Sequence, residues 1–314
     1  MTIYPTEISV TAPVGQALDR VKRMLFQPFD LGKWFVIGFC AWLAGLGESG
    51  GGGGGNFYSG GGGQPGGPHS FRDFTDKAGH FVVQNLYWIV PAAMVLLVVG
   101  LVWGLLLTWL SSRGKFMFLH CVALNQAEVK RPWREFAREA NSLFWFRFVL
   151  GMIGLFCFLP LLGGVFFIVG RMLYRGSAEP GGIVLALVLG LAFFALALCL
   201  GLVHKFTMDF VVPIMSLRRT GCTAAWREFL VMLADNAGRF TLYVLFQIVL
   251  GLAIGVLVLL VVVVTCCIAG CLMALPYVGT VLLLPVLVFE RSYSIYYLAQ
   301  FGPAYDVFPP AQPV

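Results

Sequence analysis

Residues 131–170 read RPWREFAREANSLFWFRFVLGMIGLFCFLPLLGGVFFIVG, and this stretch decides the fold class. Its first part sets Trp133, Phe136, Ala137, Ala140, Leu143 and Phe144 at offsets 0, 3, 4, 7, 10 and 11, the apolar stripe of one α-helix face. Pro132 stands in the first turn, where a missing N–H costs nothing. Beyond Arg147 charge disappears, and apolar residues run on to Val169. About 20 such residues, at a rise of 1.5 Å each, cross a hydrocarbon core about 30 Å thick. The stretch predicts an amphipathic helix over 132–142 leading into a transmembrane helix over 143–170.

The rest of the chain has the same character. Of 314 residues, 59% are hydrophobic and 11% charged, against about 25% charged in an ordinary soluble domain. That balance excludes a cytosolic enzyme, a disordered regulator and a secreted disulfide scaffold. Five further apolar segments are predicted as spans, at 32–47, 86–110, 182–204, 240–269 and 278–299. The first reaches full length only with Leu31–Lys33 and Gly47 included. A cleaved signal peptide is its competing reading, but the charged region before it exceeds thirty residues, unlike a signal sequence.

The 132–142 pattern recurs. Residues 13–27 repeat its spacing from Val14 to Leu25, and residues 223–235 carry Trp226, Phe229, Leu230 and Leu233 at 0, 3, 4 and 7. The last two copies share the string Trp-Arg-Glu-Phe (133–136 and 226–229), with Phe116 and Phe210 lying 17 and 16 residues ahead of it. Basic–aromatic pairs follow each copy: Lys33-Trp34, Arg147-Phe148 and Arg239-Phe240. The expected fold is all-α, a polytopic bundle of six transmembrane helices with amphipathic helices between them and an internal repeat. Three unrelated interfacial helices are the alternative to a repeat.

Seventeen of the 21 Lys and Arg fall on one side of these spans; only Arg72, Lys77, Arg171 and Arg175 fall on the other. The positive-inside rule then places both termini in the cytoplasm. Nucleic acid is a poor partner, because the charge lies beside spans rather than in a compact basic domain. Membrane lipids are the expected partners, with a protein partner or a second copy of the chain as further candidates. The loop 48–70 faces outward and holds twelve glycines within Ser49–Pro68; its composition is that of a flexible coil. No Gly-Lys-Ser/Thr follows it, so it is no phosphate loop. The proline-rich tail 306–314 is expected to be disordered.

Chemistry is sparse. Most of the eight cysteines sit in apolar runs as small hydrophobes. Cys267 and Cys271 share a helical face that suits a soft metal, but CxxC spacing and a nearby His are missing. The four histidines make no HExxH, and no nucleophile–base order is visible. No cofactor or metal is expected. More informative are Arg147, Asp209, Glu290 and Arg291, which fall in or beside apolar runs, where ionisable groups face the bundle or pair. They predict either a polar cavity or a structural ion pair such as Arg147–Glu290. Trp133, Phe136, Trp226 and Phe229 mark the amphipathic faces, which either lie among lipid headgroups or pack back on the spans.

The string Asp209-Phe-Val-Val-Pro-Ile-Met215, the Trp226-Arg-Glu-Phe helix with Asn236, and Arg291-Ser-Tyr-Ser resemble uncharacterised bacterial six-span membrane proteins. These in turn resemble the membrane domain fused to some glycerophosphodiester phosphodiesterases. The resemblance covers most of residues 10–305, implies a helical membrane domain integral to the bacterial cytoplasmic membrane, and supplies no catalytic residues. The soluble phosphodiesterase domain has no counterpart here. The expected function is a non-enzymatic membrane module that binds lipid or a partner; the alternative is a carrier of a small amphiphile.

Overall fold

The computed structural model describes residues 8–46, 86–175, 180–265, 268–273 and 275–308. The glycine-rich loop, Cys266–Cys267 and the last six residues lie outside them. Helices and connecting turns make up everything described, without a strand among the described residues.

The amphipathic segment 13–27 forms α1 (Ala12–Val21) and a wider π turn, Lys22–Phe26. Asp30 caps the next helix, α2 (Leu31–Gly45), by accepting from the Gly32 N–H at 2.8 Å, which satisfies one of the orphan donors of a helix start. The expected span 86–110 continues without a break as α3 (Leu86–Leu124). It stops where Asn125 turns left-handed at φ 58°, a conformation Asn tolerates. A short α4 (Lys130–Glu135) precedes α5 (Ala137–Arg175), so residues from 137 onward form the first turns of the long helix rather than a separate one. Next comes α6 (Pro180–Phe206), which passes through a π segment, Thr207–Val211, into α7 (Val212–Arg218). The second amphipathic string forms α8 (Cys222–Asp235) and leads into α9 (Ala237–Val264). After α10 (Ile268–Met273), the last expected span appears as α11 (Pro276–Leu282) and α12 (Leu284–Ala299), bent by 62°. Pro285 in the first turn of α12 lacks the N–H that would carry the helix through the bend.

Six spans were expected. Among the described residues four helices are long and apolar enough to cross a membrane, or five if the bent α11–α12 pair counts as one. At 15 residues α2 extends only about 22 Å, short of the hydrocarbon thickness.

Packing is unevenly distributed along these helices. One end of the bundle gathers the buried residues, drawn from α1, α2, the last turns of α3, the first turns of α5 and α9, the π segment, α7, α8 and α12. Tyr243, Tyr293, Tyr297, Phe210, Phe229 and Phe240 lie at its centre without measurable exposure. Away from that end the long helices expose Leu96, Phe166, Leu187 and Leu252, each by two-thirds or more of its surface. Apolar helices exposed all round are what a lipid solvent demands. The close approach of α2 to α3 depends on Gly114, where a Cβ would stand 2.4 Å from the Ala44 nitrogen. Residues 306–308, assigned above to a disordered tail, belong to the packed end: Phe308 stacks on Tyr296 at 4.3 Å.

Candidate functional site

The π segment organises the polar groups. Within it the Val212 N–H donates to the Thr207 carbonyl, five residues back. In that register the Met208 carbonyl requires the N–H of residue 213, and Pro213 has none. The Arg291 guanidinium, from α12, donates to the Met208 oxygen instead. One turn away Lys205 Nζ pairs with Asp209 Oδ2 at 3.0 Å. The same oxygen accepts from the Tyr243 hydroxyl at 3.0 Å, and Gln247 Nε2 donates to that hydroxyl at 3.1 Å. Glu290 lies within electrostatic range of Lys205 and Asp209, and no hydrogen-bond donor among the described residues reaches it. The Lys205 side chain is 43% exposed and that of Asp209 13%, so the cluster has an inner, bonded part and an open side.

Of the four charged residues singled out from the sequence, the structure brings Asp209, Glu290 and Arg291 together. Arg147 stands elsewhere: its NH1 donates to Ser111 Oγ at 3.1 Å and Ser112 Oγ at 3.4 Å. Ser111 in turn donates to the Ala44 carbonyl at 2.8 Å, so Arg147 ties α5 to the α2–α3 pair. The groups acting on Glu290 are Lys205 and Asp209. Lys205, Tyr243 and Gln247 were not singled out. The 205/209 and 243/247 pairs, each one helical turn apart on an apolar helix, were the available signal.

Phe136 and Phe229 point into the core and are buried. Phe136 stacks on Phe116 at 5.6 Å and 15°, and Phe229 stacks on Phe210 at 5.3 Å and 12°. The tryptophans of the two strings are half-buried and differ in their surroundings. Trp133 meets Trp109 edge-on and lies under the Arg113 guanidinium, whereas Trp226 stacks on Phe146. These faces pack back on the bundle.

The chain matches the model of a family of unknown function, DUF7544, over residues 8–283. It belongs to that family. No curated protein and no solved structure matches it. The comparisons therefore give no link to glycerophosphodiester phosphodiesterases, and the DUF7544 match brings no activity with it. The matched region holds α1 to α11 and stops at Leu283, one residue short of α12, so it contains Lys205, Asp209, Tyr243 and Gln247 but not Glu290 or Arg291.

Cys222 and Arg20 are among the groups outside the spans whose acidity is shifted. Burial pushes the Cys222 thiol up to about 12. Burial also lowers the Arg20 guanidinium, which donates to the Val122 and Ala123 carbonyls and so caps α3. Among the described residues, no three His, Cys, Asp or Glu side chains come together to hold a metal ion.

Proposed function

We propose that this chain is a non-enzymatic module of the bacterial cytoplasmic membrane that binds the polar head of a membrane lipid at the Lys205–Asp209–Glu290 cluster. The observation that carries this reading is Glu290. It is half-buried among apolar helices yet receives no hydrogen bond among the described residues. A carboxylate so placed is costly unless something donates to it. A lipid head offering an ammonium or hydroxyl to Glu290 supplies the missing donor, with its anionic oxygen toward the open side of the already paired Lys205, while its chains lie along the exposed apolar helices.

The orientation and the repeat form part of the same proposal. Arg20, Arg113, Arg147, Lys205 and Arg291 all contact the packed end, which supports placing that end and both termini in the cytoplasm. With α2 as a short sixth span, the parity agrees. The matching Phe116–Phe136 and Phe210–Phe229 stacks support reading the two Trp-Arg-Glu-Phe strings as copies of one unit.

A carrier of a small amphiphile is the second reading, favoured by the interruption of two apolar helices at Thr207–Val211 and Leu283. Broken helices beside a polar site are the usual construction of carriers.

The test is native mass spectrometry of the full chain released from lipid nanodiscs. Wild type is expected to retain lipid after mild delipidation and Glu290→Gln to lose it, without loss of thermal stability. Equal retention by both overturns the lipid-site reading. Transbilayer movement of a short-chain fluorescent phospholipid in proteoliposomes decides the carrier reading.

A further inference from the structure

A second polar site lies at the seam of α1 and α12. A pocket of about 240 Å³ is lined by Gln16, Asp19, Arg20, Arg23 and Tyr296. Its floor is fixed. Arg20 is held by the Val122 carbonyl at 2.7 Å and the Ala123 carbonyl at 2.6 Å, and its guanidinium lies 4.8 Å from the centre of the Phe308 ring. Tyr296 stacks on the same ring at 4.3 Å. Arg20 and Arg23 are close enough to repel one another, and both act on Tyr296, as do Asp19 and Asp306. Arg23 and Asp19 are exposed, and neither makes a hydrogen bond or ion pair among the described residues. The pocket thus offers a fixed cation, a free cation, a phenol and one free carboxylate.

Its surroundings have the composition that suits a membrane surface. Phe26, one turn beyond Arg23, is half exposed and meets Trp34 edge-on at 5.7 Å; Phe29 meets the same indole at 5.8 Å. Trp34 donates to the Leu25 carbonyl at 2.8 Å. Beyond it Phe35 and Phe39 run exposed along α2. An aromatic lip between a basic pocket and an apolar helix face is the arrangement found where headgroups meet hydrocarbon.

We infer that this pocket binds the phosphoethanolamine head of a membrane lipid, with the phosphate between Arg23, Arg20 and Tyr296 and the ammonium on Asp19. Phosphate answers the paired arginines, which bind it through charge-assisted hydrogen bonds. A primary ammonium carries three donors for Asp19, and a trimethylated head carries none. The acyl chains then descend past Phe26 and Phe29 along α2. The pocket shares no residue with the Lys205–Asp209–Glu290 cluster, so either assignment can fail alone.

The experiment is titration of the detergent-solubilised full chain with dihexanoyl phosphatidylethanolamine, dihexanoyl phosphatidylcholine and free phosphoethanolamine. Wild type is expected to prefer the ethanolamine lipid to the choline lipid by about tenfold or more. Arg23→Ala should weaken both lipids by about tenfold, and Asp19→Asn should abolish the preference while leaving the choline lipid unchanged. Both positions are exposed, so melting temperatures matching wild type show that the fold is kept. No preference in wild type, or no effect of Arg23→Ala, overturns the assignment. Free phosphoethanolamine binding as tightly as the lipid overturns the lipid as its source.

Discussion

Pro213 and Arg291 should be energetically coupled, although they belong to different helices and share no side-chain bond. The π register leaves the Met208 carbonyl without a backbone donor because residue 213 is proline, and Arg291 supplies the missing hydrogen. Arg291→Met keeps most of the volume and removes a bond to a charged group, worth about 1.5–3 kcal/mol. Pro213→Ala removes buried ring contacts, at about 1 kcal/mol, but restores an N–H directed at Met208 in the same five-residue register. In the double variant that N–H takes the place of the guanidinium. The two losses should therefore sum to less than their separate values, with a coupling of about 1 kcal/mol or more. In a chain of this size 1 kcal/mol moves the melting temperature by about 2–4 °C. Arg291→Met should melt about 3–12 °C lower than wild type and Pro213→Ala about 2–4 °C lower. The double variant should lie about 2–4 °C above the sum of the two shifts. The assay is intrinsic-fluorescence melting of all four proteins in one detergent. Hydrogen exchange adds a local reading, since the new amide at 213 should be protected only if it bonds to Met208. Additivity within about 0.5 kcal/mol, or a freely exchanging amide at 213, refutes the account of the break.

Three other outcomes follow from the packing. Phe229→Ala and Phe136→Ala each remove a buried stacked ring and should cost about 3–5 kcal/mol, while Trp145→Ala, 61% exposed, should cost little in a melting experiment. Gly114→Ala places a methyl against the Ala44 backbone and should cost about 1–3 kcal/mol through forced separation of α2 and α3, read as a lower melting temperature and faster proteolysis after Leu46. Cys222 should resist maleimide at pH 8, being buried with its thiol pushed up to about 12. Its linkage has a definite sign. The native thiol keeps its proton where the unfolded thiol, titrating near ~8.5, has lost it. Stability should therefore fall as pH rises from about 9 to 11, and Cys222→Ala should flatten that fall.

Periodicity made the buried faces legible. Phe136, Ala140 and Leu143 fall on one helical stripe and are buried together; Val14 and Leu25 mark a face whose centre, Ala17, Val21 and Met24, is fully or almost fully covered. Length and apolarity found the long helices, because hydrocarbon thickness is a one-dimensional criterion. Where those helices stop was not legible, since α3 runs fourteen residues past its apolar run. Amphipathic turns can extend a span when other elements pack on them. The charged cluster was half legible. Composition marks a charge in an apolar run, but only the fold says which helix turns toward it. Arg147 illustrates this: its partners include two serines that no spacing rule connects to it.

The coincidence of break and charge has a physical order that separates structural groups from free ones. Pro213 orphans a carbonyl in an apolar setting, and an orphaned carbonyl there costs several kcal/mol, roughly. Arg291 meets that cost. Asp209 is met by Lys205 and by Tyr243, whose hydroxyl is oriented by Gln247. Each of these groups is accounted for by the integrity of the helix break alone, and nothing in their pairing requires a ligand. Glu290 is not accounted for. It adds a second carboxylate to a site whose cations are already engaged, which raises the repulsion with Asp209 and gains no bond. A purely structural cluster would be more stable with glutamine at this position. Glu290→Gln should therefore raise the melting temperature of the lipid-free protein while weakening lipid retention. A variant that loses both stability and lipid would assign Glu290 to the scaffold instead.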